Sequence, residues 1–93
     1  MVIGVCTLEL FIPDSGSLKG KRHVIRSLKD RVRQRFNVSI AEVGENEMWQ
    51  RTVLGIACVS NDRKFADQVM SKILVLVGSH PEVVIMRSQV EYL

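Results

Sequence analysis

Apolar and polar positions along the chain form six successive patterns. Residues 2–12, VIGVCTLELFI, are β-branched and apolar at most positions. That run predicts a strand buried on at least one face. Pro13 and the DSGS tract at 14–17 break it. Ser17 predicts the N-cap of a helix over 18–36, in which Leu18, Ile25, Leu28, Val32 and Phe36 share one face with Val24 at its edge. Asn37 ends that helix. VSIAEV at 38–43 alternates and predicts a second strand. GENEMWQ at 44–50 is a polar connection holding the only tryptophan, Trp49. TVLGIACVS at 52–60 predicts a third strand, apolar on both alternating sets and therefore central in its sheet. Ser60, Asn61 and Asp62 offer caps for a second helix reaching about Val77, with Phe65, Ala66, Val69, Ile73, Leu76 and Val77 as its apolar face. Gly78 suits a C-cap and Pro81 bars continuation. Residues 83–92 predict a fourth strand.

The order is βαββαβ. It predicts an α+β, ferredoxin-like sandwich, a four-stranded antiparallel sheet with two helices on one face. The other face is left open. On the first strand Ile3, Val5 and Phe11 share one side, while Val2, Cys6, Leu8 and Leu10 share the other. An open face that apolar is expected to be covered by a second copy, as a homodimer or higher oligomer. The 93 residues are read as a single domain, 1–93. No apolar run approaches the ~20 residues of a membrane helix, and the first run lacks the form of a signal peptide. The expected setting is the cytoplasm, with no membrane. Cys6 and Cys58 lie inside apolar runs without a CxxC spacing and are expected to be buried free thiols.

Charge changes this picture more than composition does. The chain carries 13 Lys and Arg against 10 Asp and Glu, a net +3. Between Leu18 and Phe36, however, Lys19, Lys21, Arg22, Arg26, Lys29, Arg31, Arg33 and Arg35 face one acid, Asp30. On a helical wheel Arg22, Arg26, Lys29 and Arg33 form one column beside the apolar face, with Lys19 near its start. Arg31 and Arg35 take the opposite flank. Lys21 falls near the middle of the buried face and needs a partner, for which Glu9, Asp14 and Glu42 are the candidates. Two readings of the helix stand: a solvated face paired with acids elsewhere, or an anion-binding surface suited to RNA phosphates. Few i,i+4 partners exist within the helix, which weakens the first. Trp49-Gln50-Arg51 offers a second feature, for which a lid over the core or a subunit edge is favoured over a base-stacking platform. Gly16 and Gly20 bracket a turn where backbone N–H groups could hold an anion with Lys19 and Lys21.

Established catalytic and metal-binding motifs are absent, so no enzyme activity, cofactor or metal is expected. His23 points away from the apolar face and His80 precedes Pro81 in a turn. Strand three lacks the aromatics of an RNA-recognition motif. The first loop has neither the paired cysteines of a metallochaperone nor the arginine loop of an acylphosphatase.

The pattern Ser17-Leu18-Lys19 followed by Lys21-Arg22 resembles the YlxP-like family of small uncharacterised bacterial proteins. So do SLKDRVRQRFNVSIAEV (27–43), MWQRTVLGIACVSNDR (48–63) and the closing strand. The likeness spans nearly the whole chain. It departs at Gly20, where many relatives carry a larger, often acidic residue. The resemblance implies a ferredoxin-like fold and no established activity. The family's genes tend to lie near those for translation initiation factor two and a ribosome-binding maturation factor, which implies a link to ribosomes or RNA. The leading expectation is a non-enzymatic RNA- or ribosome-associated protein using Lys19, Lys21, Arg22, Arg26, Lys29, Arg33, Trp49 and Arg51. The alternative is an oligomeric regulatory or small-anion-binding module.

Overall fold

A computed structural model describes residues 1–93. Its elements are β1 (Val2–Phe11), α1 (Leu18–Arg35), β2 (Ser39–Gly44), β3 (Arg51–Ser60), α2 (Arg63–Gly78) and β4 (Val84–Tyr92). The strands form one antiparallel sheet in the order β2-β3-β1-β4, so the doubly apolar β3 is internal, as expected.

Alternation on β1 decides which face is covered. Cys6 lies opposite Ile56 and Leu8 opposite Leu54, and all four are buried. Val24, Ile25, Leu28 and Val32 of α1 join them, with Met70, Ile73, Leu76 and Val77 of α2. Both helices therefore pack on this face, giving the ferredoxin-like sandwich. Each buried Leu or Ile of this set contributes roughly 1.5–3 kcal/mol by leaving water. The intervening residues, among them Val5 opposite Ala57 and Phe11 opposite Arg51, lie on the uncovered face. Both cysteines are buried and unpaired, and burial pushes the Cys6 thiol up, away from the reactive thiolate.

Local signals set most element ends. The Ser17 hydroxyl accepts the Gly20 N–H at 3.0 Å, closing α1 as an N-cap. Phe36 is already extended, so α1 stops one residue earlier than its apolar pattern. Asp62 caps α2 by accepting from the Lys64 N–H at 3.0 Å. Two expectations for α2 are corrected. Gly78 is still helical and Ser79 is the C-cap, with its hydroxyl donating to the Leu76 carbonyl at 2.7 Å; no left-handed residue is needed. Phe65 is 55% exposed, because the core-facing set runs through Ala66, Met70, Ile73 and Val77 and leaves Phe65 turned outward.

Both edge strands are irregular. The register slips past Val43 on β2 and past Met86 on β4. Such bulges discourage edge-to-edge pairing. Gly55 serves the first of them, since a Cβ there would come within 3.2 Å of Val43 Cγ1.

Candidate nucleic-acid interface

The first turn of α1 places Lys21 toward the sheet, where it is 0% exposed. Its ammonium lies 3.0 Å from Glu42 Oε2. It also donates to the carbonyls of Glu45 (2.9 Å), Asn46 (3.1 Å) and Arg51 (3.2 Å). Glu42 in turn accepts the Thr52 hydroxyl at 2.6 Å. Of the three candidate partners Glu42 is the one used; Glu9 lies 3.8 Å from Arg87 instead. This corrects the assignment of Lys21 to a phosphate-binding surface. Its charge is satisfied inside the protein, and an anion site between Lys19 and Lys21 loses one of its two cations.

The column runs along the flank of α1 beside the edge strand β2. Lys19, Arg22, Arg26 and Arg33 are exposed and Lys29 is half-buried. Arg22 to Arg33 is eleven residue steps along the helix, about 17 Å at ~1.5 Å per residue. Arg33 also braces the sheet edge, its guanidinium donating to the Ile40 carbonyl on β2 at 3.0 Å. The two ion pairs of the molecule are Lys21–Glu42 and Arg87–Glu9. Hence Lys19, Arg22, Arg26, Lys29, Arg31, Arg33 and Arg35 all lack a carboxylate within 4.0 Å.

Trp49 and Arg51 sit elsewhere. The segment between β2 and β3 hangs from Lys21, and Glu45 within it adopts a left-handed backbone, φ 56°. Gln50 fastens its far end, donating from its side chain to the Pro13 carbonyl at 2.9 Å and accepting the Ile12 N–H at 2.8 Å. Trp49 is 56% exposed, so it is not a lid over the core of its own chain. With Phe11, Met48 and Arg51 it lines a hollow of about 440 Å³ at the end of the sheet. The structure thus gathers Lys19, Arg22, Arg26, Lys29 and Arg33 on α1. It places Trp49 and Arg51 on a separate surface beside the helix start, linked to it by Lys21.

His23 is exposed, whereas His80, read as a turn residue, is buried. Its Nδ1 accepts the Glu82 N–H at 3.2 Å. Burial holds its pKa below the ordinary imidazole value, Arg31 adds to this, and Glu82 opposes it. Nothing in the turn sequence announces that burial. No helix is long and apolar enough to cross a membrane.

Comparison with known proteins agrees with the resemblance seen in the residues. The family model described as protein of unknown function, DUF503, matches residues 3–90. The chain is also similar to the uncharacterized protein YlxP of Bacillus subtilis (strain 168). The two are 43% identical over 82 residues, covering 88% of this chain and 89% of that relative.

Proposed function

The chain belongs to the DUF503 family of proteins of unknown function, and on that footing we propose that it is a cytoplasmic, single-domain, non-enzymatic protein that associates with RNA or ribosomes through α1. One observation carries the reading: seven cations on one helix have no carboxylate within 4.0 Å. Eight cations against the single acid Asp30 on this helix leave a repulsion that phosphates would relieve. Lys19, Arg22, Arg26, Lys29 and Arg33 neutralise the backbone, and Trp49 and Arg51 stack on bases that pass the helix start.

Retention of cellular RNA and ribosomal particles tests this, with Arg22→Glu/Arg26→Glu as the variant. That pair leaves the Arg33–Ile40 contact and the Lys21 cage intact. Retention at low salt is expected to disappear. For single strands, five phosphate contacts give a slope of log affinity against log salt of about −3 to −4. Retention that survives the double reversal removes the reading.

We propose further that a second copy of the chain covers the open sheet face, which presents Val5, Val43, Val53 and Val59 with no helix above them.

A further inference from the structure

The two flanks of α1 differ in what they face. The column borders β2, but the other flank borders α2, and there the helices part around a cleft of about 440 Å³. That volume suits a small ligand. Arg35 of α1 and Lys72 of α2 stand on its rim, with no carboxylate within 4.0 Å of either. Between them the lining is apolar. Phe36 is half-buried against the core, and Val75 is 73% exposed, an apolar side chain that nothing in the chain covers. Ser71 and Ser79 complete the wall. The Ser79 hydroxyl already donates to Leu76, so toward a ligand it can only accept, whereas Ser71 is free to donate.

This combination asks for a ligand that is anionic at one end, flat and apolar at the other, and hydroxyl-bearing between. We propose that the α1–α2 cleft binds one phosphorylated nucleoside. The phosphate lies between Arg35 and Lys72, the base lies on Phe36 and Val75, and a sugar hydroxyl donates to Ser79. Charge-assisted contacts supply most of the affinity and the apolar floor supplies the preference for a base over a bare phosphate. The site is distinct from the α1 column and stands without it. The nucleoside can be a free mononucleotide or one unit of an RNA chain.

Amide chemical-shift titrations of the whole protein at low salt, with AMP, with inorganic phosphate and with an adenosine hexanucleotide, separate the outcomes. Shifts at Arg35, Phe36, Lys72 and Val75 with AMP support a free nucleotide; the same shifts with the hexanucleotide alone support a unit of RNA. Lys72→Glu lies on an exposed helix face and is expected to weaken either by roughly ten- to a hundredfold while core resonances keep their positions. Arg22→Glu/Arg26→Glu is expected to leave AMP shifts unchanged, so failure of the column reading is told apart from failure here. A cleft silent to both nucleotides, inorganic phosphate binding as tightly as AMP, or an unaffected Lys72→Glu variant would each overturn the proposal.

Discussion

A lysine with no exposed surface must find every acceptor it needs inside the protein. Lys21 does so with one carboxylate and three carbonyls, which leaves none of its three protons unplaced. Replacing it with methionine keeps much of the bulk but strands Glu42, itself largely buried, and frees the three carbonyls. Removing one partner of such a buried pair costs about 3–5 kcal/mol. Lys21→Met is therefore expected to lower the urea midpoint sharply and to loosen the segment from Glu45 to Arg51 first, seen as lost amide protection there. A midpoint within error of the parent protein would mean that the cage contributes nothing net. Half of this was legible in the sequence. The helical wheel put Lys21 on the buried face, and Glu42 was one of three acids in reach. The carbonyl acceptors were not, because the left-handed turn at Glu45 brings them round and no residue type there signals it.

At the scale of elements, α1 has three sides with three roles. Its apolar side anchors to the sheet, its β2 side carries the column, and its α2 side carries Arg31 and Arg35. Period 3.6 made the first two readable, since side-chain direction follows from residue spacing alone. It could not say that Arg33 would reach a carbonyl of an edge strand, which depends on how the helix sits across β2. For α2 the same period put Phe65 on the apolar face and passed over Met70, and packing on the sheet reversed both. The third side of α1 also shapes how stability responds to pH. Arg31 approaches His80 in the connection from α2 to β4. Burial first, and Arg31 second, lower the His80 pKa below its ordinary value of 6.5. On acidification the unfolded chain takes up that proton before the folded one does. The contribution of His80 is then complete above pH ~6.5 and is lost as pH falls toward its folded pKa. Melting temperatures measured from pH 8 to 5 are expected to decline less steeply for His80→Gln than for the parent. Parallel curves would assign the decline to other groups.

For the whole molecule, the question is what lies over the open sheet face. The alternation on β1 and the double apolarity of β3 made an uncovered apolar face foreseeable from the residues alone. What occupies it follows from area and composition. Strands of 10, 6, 10 and 9 residues, at ~3.4 Å per residue and about 4.8 Å apart, present about 570 Å², somewhat under the ~800 Å² per partner of a standard interface. Ile3, Val5, Val53 and Val59 lie on that face, and Val43 leans on Gly55 at its β2 side. Of the charges on the face, Arg87 and Glu91 lie on the edge strand β4 and Arg51 at the end of β3, while Glu9 on β1 meets Arg87. A two-fold axis through the face sets valines on valines and keeps the charged edge at the rim, the arrangement that homodimer interfaces favour. Because Val43 and Val59 are 62% and 66% exposed in the isolated chain, changing them costs the protomer little. Light scattering at micromolar concentration is expected to give twice the 10.5 kDa chain mass for the parent protein and the single mass for Val43→Lys/Val59→Lys. A parent protein that scatters as one chain would leave the face uncovered and end the pairing proposal. The α1 column, on the opposite side of the sheet, would keep its own test.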